Sequence, residues 1–312
     1  MNYEVLHSVM FHHFHGGRHL PVQGSLSASD FNNMLDWLNS KYTVLNASDF
    51  IMKYLKGNLR NEDICLSFDD ALLCQYDIAF PILKERGISA FFFVYSSAFT
   101  MNPDYLEIYR YFRSIHFGNI DNFYDEFFKQ VHMANDAEYA EAYEKYKTLD
   151  YLSAFPFYSE TDRWFRYLRD QFLEETRYHE LMKNLMESKK FDVDEAKKNL
   201  WMNENCLREL HSHGNIIGLH SYSHPTQISR LSFEKQVFEY SRNLLHLESI
   251  LGKGVITSMS HPCGDYNDET LGILTDLGIK IGFRSNRRIK EIRSALEIPR
   301  EDHANIYREI HS

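Results

Sequence analysis

Two adjacent carboxylates close one apolar run: the segment ICLSFDD ends on Asp69 and Asp70. A strand of an α/β protein delivers its C-terminal end to the face where sites form, so side chains just past a strand are placed for chemistry. A single Asp there is an ordinary turn or helix cap. Two like charges side by side need a further reason. A second constellation, IIGLHSYSHPTQ, puts His220 at the end of another apolar run and His224 four residues later, just ahead of Pro225. Two imidazoles at this spacing converge on one metal if the segment makes a turn of helix. With one carboxylate they supply two nitrogens and one oxygen, which leaves positions on a divalent ion for water and substrate. If Asp70 is the ligand, Asp69 points elsewhere and is available to take a proton from the activated water. A third segment, MSHPCGDYNDE, carries Pro262, Cys263 and Gly264, a tight loop whose backbone N–H groups can hold an oxyanion.

The elements that must position these residues alternate. EVLHSVMF reads as a strand and SASDFNNMLDWLNS as a helix capped by Ser27 or Ser29. ICLSF is a second strand, QYDIAFPILKERG a helix closed by Gly87, and ISAFFFVYS a third strand. From about Asn203 the alternation resumes: ENCLRELHSHG, NIIGLH, SFEKQVFEYSRNLLHLESILG, VITSMSHP, DETLGILTDLGI and KIGFRS, closing on EIPREDHANI. Such alternation is the mark of βαβ units and a parallel sheet. Between residues 100 and 202 strand signals nearly vanish, and aromatic residues at helical spacing (Phe123, Tyr124, Phe127, Phe128) point to a helical insertion with its own small core.

With 312 residues and 44% hydrophobic content the chain can bury a substantial core. Its formal net charge of -10 argues against a nucleic-acid partner, since phosphate binding needs clustered Lys and Arg. The basic run Arg284, Arg287, Arg288, Lys290 and Arg293 reads as a solvated face. Four cysteines without metal-type spacing make no disulfide framework, and no run of eighteen apolar residues occurs. A reducing, cytoplasmic location without a transmembrane segment is the expectation.

Taken together, these residues resemble the polysaccharide deacetylases, carbohydrate esterase family 4 with the NodB homology domain. Ser67, Phe68, Asp69 and Asp70 match the family's Thr/Ser-Phe-Asp-Asp motif, and His220, Ser221 and His224 its His-Ser/Thr-x-x-His motif. The resemblance covers about two-thirds of the chain and implies a distorted (β/α) barrel, here residues 1–99 and 203–312, interrupted by the insertion at 100–202. It implies that Asp69 is the general base and that Asp70, His220 and His224 hold a divalent ion, zinc first, with cobalt, nickel or iron as other occupants. Where relatives place Arg-x-Pro, this chain has Ser260, His261, Pro262 and Cys263, so the backbone around Cys263 is left as the oxyanion donor. The family's late motifs are not recognisable. The acid candidates are therefore His12, with His13 its immediate rival, and His303, while Arg300 stands in for the missing arginine by orienting Asp69.

The function this implies is metal-dependent hydrolysis of an N-acyl group, N-acetyl first, from a sugar, nucleotide sugar or lipid-linked glycan precursor. Two other classes compete: a glycan-binding protein with impaired chemistry, and a two-histidine, one-carboxylate iron enzyme. The latter usually has its carboxylate close to one histidine, the reverse of the spacing here.

Overall fold

A computed structural model describes residues 6–100, 103–153, 158–287 and 292–312. Arg288 and Lys290 of the basic run lie outside the described residues. The elements run β1 (Ser8–Phe11), α1 (Ala28–Lys41), β2 (Thr43–Val44), α2 (Ala47–Leu55), β3 (Asp63–Phe68), α3 (Phe80–Arg86) and β4 (Phe91–Val94). Six helices follow: α4 (Leu106–His116), α5 (Ile120–Ala134), α6 (Asp136–Lys147), α7 (Glu160–Tyr167), α8 (Glu175–Ser188) and α9 (Val193–Leu200). The chain then continues through α10 (Glu204–Ser212), β5 (Ile216–Leu219), α11 (Phe233–Leu251), β6 (Ser258–Ser260), α12 (Asp268–Asp276), β7 (Ile281–Phe283), β8 (Glu301–Asp302) and α13 (His303–His311).

Local chemistry explains several boundaries. Ser27, the first of the two expected caps, accepts the Asp30 N–H while the Asp30 carboxylate takes the Ser27 N–H, a reciprocal pair that starts α1. Gly87 closes α3 at φ 65°, the left-handed conformation that releases the chain toward β4. The helix expected from Gln75 onward is in two parts: a wider π-helical turn, Gln75–Ala79, precedes α3. The strand β2 leaves no signal in the sequence, because two residues are too short to show a period.

All the strands are parallel, in the order β7-β6-β5-β4-β3-β1-β8, with β2 beside β3. The ring is completed by the chain that leads into β8. Ile298 exchanges backbone hydrogen bonds with β7, donating to Gly282 and accepting from Arg284, while Glu301 and Asp302 pair with Val9 and Met10 of β1. The architecture is thus a distorted (β/α) barrel. Strand period 2 sends Cys65 to the interior with Phe91, Phe93, Ile281 and Phe283, and α2 covers their lower side with Ala47 and Phe50. Ser67 and Asp69 continue that inward row toward the upper end. Phe68 points the other way, stacking on Phe92 at 4.7 Å and meeting Phe11 and Phe31, the latter from α1.

The chain divides into two compact units, residues 1–104 with 198–312, and residues 105–197. Among its described residues, the regular elements of the second are all helices. Its core is aromatic, with Phe123, Tyr124, Phe127, Phe165 and Tyr178 buried among one another. The Tyr124 hydroxyl donates to the Asp162 carboxylate. Among the described residues, no helix is long and apolar enough to cross a membrane.

Candidate active site

Asp69 leaves β3 pointing into the ring and is 2% exposed. Its carboxylate receives a two-pronged contact from Arg300, Nη1 to Oδ1 at 2.7 Å and Nη2 to Oδ2 at 2.7 Å, while Ser260 Oγ donates to Oδ2 at 3.2 Å. Arg300 is itself completely buried and is held from behind, donating from Nε to the Arg284 carbonyl at 2.6 Å. A planar guanidinium matches a carboxylate in this way and fixes its orientation as well as its charge. Burial pushes the Asp69 carboxyl up, but the charges of Arg300 and then His220 outweigh it, so the group stays below the usual carboxylate range.

Asp70 follows with φ 77°, which turns its side chain away from Asp69 and toward the two histidines. Asp70 Oδ1 lies 3.4 Å from His220 Nε2 and 3.5 Å from His224 Nε2. Donor atoms about 2.0–2.2 Å from a tetrahedral ion stand roughly 3.3 Å apart, so these separations fit a shared divalent cation. Two further observations agree. The His220 Nδ1–H is taken by the Ser260 carbonyl at 2.8 Å, which leaves Nε2 with its lone pair facing Asp70. Asp70 Oδ1 is buried with no hydrogen-bond donor of its own, a costly arrangement unless a cation shares it. Burial pushes the Asp70 carboxyl up, but His220, His224 and His12 outweigh it and hold it well below the usual range. Burial likewise pushes His220 down, and Asp69 and Asp70 reverse this and raise it.

The two histidines do not converge through a turn of helix as their spacing implied. Ser221 at φ 64° and His224 at φ 57° fold an irregular loop back on itself instead. Its shape is set from below: Glu239 of α11 accepts the N–H groups of Tyr222 and Ser223 at 2.9 and 2.8 Å, and the Ser221 hydroxyl accepts the His224 N–H at 3.0 Å. Asn243 of α11 accepts the His220 N–H at 3.0 Å and donates to the Val94 carbonyl at 2.9 Å, tying the ends of β5 and β4 together.

Pro262, Cys263 and Gly264 form a single tight turn after β6, with Cys263 at φ 53° and exposed. Gly264 is required twice over. It sits at φ 71°, and a Cβ there would come within 2.0 Å of Ser285 Oγ. Of the seven described non-glycine residues at positive φ, five are Asp70, Ala71, Ser221, His224 and Cys263, a concentration of strained backbone typical of functional sites.

The histidines proposed as acids are placed differently. His12, just beyond β1, directs Nε2 to within 4.0 Å of Asp70 Oδ2 with a quarter of its side chain exposed. His303 is buried at the start of α13, its Nδ1 3.3 Å from the Met10 carbonyl and its Nε2 2.7 Å from the Gly24 carbonyl, with its ring stacked on Phe11. His12, Asp302 and His303 nonetheless form one cluster, their polar atoms within 4.8 Å of one another. The His13 side chain is buried, and its carbonyl accepts the Leu26 N–H.

A polysaccharide deacetylase family model matches residues 183–282, a stretch that contains His220, His224 and the Pro262–Gly264 turn. Among curated proteins no sequence matches the chain. Solved structures do. The Streptococcus pyogenes deacetylase PplD, in complex with acetate, has a TM-score of 0.54 at 16% identity, covering 96% of this chain and 92% of its own. IcaB from Ammonifex degensii gives 0.54 at 15% identity over 95% and 90% of the two chains. A de-N-acetylase from Aggregatibacter actinomycetemcomitans gives 0.53 at 16% identity over 95% and 94%. The chain has the polysaccharide deacetylase fold.

Within this deacetylase fold, Ser260 stood at a motif position without a role read from the sequence, and three further buried polar residues at the site, Asn243, Glu239 and Gln75, carried no motif. Ser260 touches Arg300 and Asp69 through its hydroxyl and His220 through its carbonyl. Asn243 and Glu239 shape the histidine loop from α11, and Gln75 bridges two strand ends. The available signal was position: Asn243 and Glu239 occupy the buried stripe of an amphipathic helix, where an amide or carboxylate needs a partner.

Proposed function

We propose that the protein is a metal-dependent carbohydrate N-deacylase, acting first on N-acetyl groups. The observation that carries this reading is the buried triangle of Asp70, His220 and His224 set directly beside a second carboxylate, Asp69, that Arg300 holds ionised and oriented. The family match and the fold support a deacetylase of sugars.

Asp70 Oδ1, His220 Nε2 and His224 Nε2 would hold the divalent ion. Such an ion lowers the pKa of water toward about 7 and polarises the amide carbonyl. Asp69 accepts the proton of the attacking water, its lone pairs aimed by Arg300 and Ser260. The backbone N–H at Cys263 holds the oxyanion as the amide carbon becomes tetrahedral. His12 then delivers a proton to the departing nitrogen, the C–N bond breaks, and a carboxylate and a free amine leave. His12 is preferred over His303 because its Nε2 faces Asp70, whereas both ring nitrogens of His303 face backbone carbonyls.

The substrate in this reading is an N-acylated sugar carried on a nucleotide or lipid, met in the cytoplasm, and zinc is the ion of first choice. The test is acetate release from a panel of N-acetyl and N-formyl sugars, free, nucleotide-linked and lipid-linked. Turnover should appear with at least one, and both chelation and Asp69→Asn should abolish it. Undiminished turnover in either case would falsify the mechanism.

A further inference from the structure

Gln75 opens the π-helical turn that follows the Asp69–Asp70 segment, and its side chain is completely buried. Its Nε2 donates to two carbonyl oxygens, that of His12 at 2.9 Å and that of Asp69 at 2.6 Å. One carboxamide therefore joins the backbone that carries the proton donor to the backbone that carries the proton acceptor. Its orientation is determined. Exchanging the amide nitrogen and oxygen would press Oε1 against two carbonyl oxygens, and as it stands Oε1 is buried without a donor.

The same turn grips the β1 extension a second time. Cys74 Sγ accepts the Phe14 N–H at 3.3 Å, two residues beyond the carbonyl that Gln75 holds. His12 thus leaves the last β1 residue, Phe11, and is clamped from the π-helical turn immediately afterward. On the inner side, Asp69 N–H donates to the Phe11 carbonyl at 3.1 Å, so the two strand ends are already in register and Gln75 fixes what lies just past them. A π-helical turn widens the coil by one residue per turn, a local distortion often found at functional sites.

We propose that Gln75 is a positioning residue that couples acid to base, setting the distance between His12 and the Asp69–Asp70 pair through their backbones. The inference rests on the reading of His12 as acid and Asp69 as base. A misplacement of about 1 Å at reacting groups can cost 100-fold in rate, and two hydrogen bonds from one rigid amide are a means of preventing it.

The experiment compares the full-length protein with Gln75→Met, which keeps the length and loses both donors, and with Gln75→Glu, whose buried acid form restores one donor. In Gln75→Met, kcat should fall by about 10- to 100-fold, with KM within about twofold and bound metal per chain unchanged. Gln75→Glu should recover part of that loss. A variant whose melting temperature drops while kcat, read well below it, stays at the wild-type value would overturn the inference. If the wild-type protein releases no acyl group from any N-acyl sugar, the reading of function fails, and a crystal structure of Gln75→Met decides the inference separately. A change of more than about 0.5 Å in the 4.0 Å separation of His12 Nε2 from Asp70 Oδ2 supports it, and an unchanged separation refutes it.

Discussion

Arg300 and Asp69 are separated by 231 residues in sequence and joined by two charge-assisted hydrogen bonds of 2.7 Å inside the barrel. Both are buried, so each is the other's principal charge partner. Removing the guanidinium by Arg300→Met should cost about 3–5 kcal/mol of stability, because a buried carboxylate is left uncompensated. In whatever activity survives, the acid limb of kcat/KM should move to higher pH, since the charge that holds the Asp69 carboxyl down is gone. Arg300→Lys, which keeps the charge and loses the fork, should fall between the two. Titration of kcat/KM from pH 4 to 9 together with thermal unfolding checks all three.

In the proposed reading, metal and protons compete for the same atoms. His220 is raised from its ordinary 6.5 by Asp69 and Asp70 against the opposing effect of burial, so in chelated protein its charge adds stability below pH 6.5. That contribution is lost as the pH rises through the raised value. Chelated protein should therefore melt at a lower temperature at pH 8 than at pH 6, and added Zn should raise the melting temperature more at pH 8, where fewer protons have to be displaced. His220→Ala should remove both effects. Differential scanning calorimetry with and without metal reads them.

Gly264 offers a test of the turn after β6. Gly264→Ala places a methyl group on Ser285 Oγ and forces a side chain onto φ 71°, so a loss of about 1–3 kcal/mol is expected from strain at this position. If the turn presents the oxyanion donor, kcat should fall further than stability explains. The double change Gly264→Ala with Ser285→Gly, which removes the clash and keeps the strain, separates the two contributions. Both are read by kinetics and chemical denaturation.

Far from the site, Asp63 begins β3 and is bonded by the Arg60 side chain and N–H and by Lys53. Burial would raise its carboxyl, but these partners outweigh it and hold it at about 2 against an ordinary 3.8. The stability it contributes is complete above pH 3.8 and disappears as the pH falls through 2. Asp63→Asn should therefore destabilise the protein by on the order of 1 kcal/mol at pH 7, a modest figure because Arg60 is solvent-exposed, and by less at pH 2.5. Urea unfolding at the two pH values gives the difference.

Several elements were readable from the chain alone because their causes are local. The alternation of apolar runs with amphipathic stretches announces a parallel α/β sheet, Ser27 with Asp30 announces the start of α1, and Gly87 its counterpart at the end of α3. The types and spacing of Asp69, Asp70, His220 and His224 were equally visible. Convergence was not. The four-residue spacing of the two histidines points to a turn of helix, whereas left-handed backbone at Ser221 and His224 bends a loop that Glu239 and Asn243 hold in place from α11.

Local patterns in the chain set the class of sheet and supply a stock of residues with the chemistry to bind a cation and move protons. Which of them meet is set by the closure of the barrel. It threads the chain from Ile298 to Asp302 between β7 and β1, which drives Arg300 onto Asp69, and it turns His12 toward Asp70 while His303 faces the carbonyls of Met10 and Gly24. The reason is physical. Periodicity and capping depend on neighbours within a turn or a strand, whereas these contacts join residues far apart in the chain, and burial forces each polar group to find its partner only once the barrel has formed.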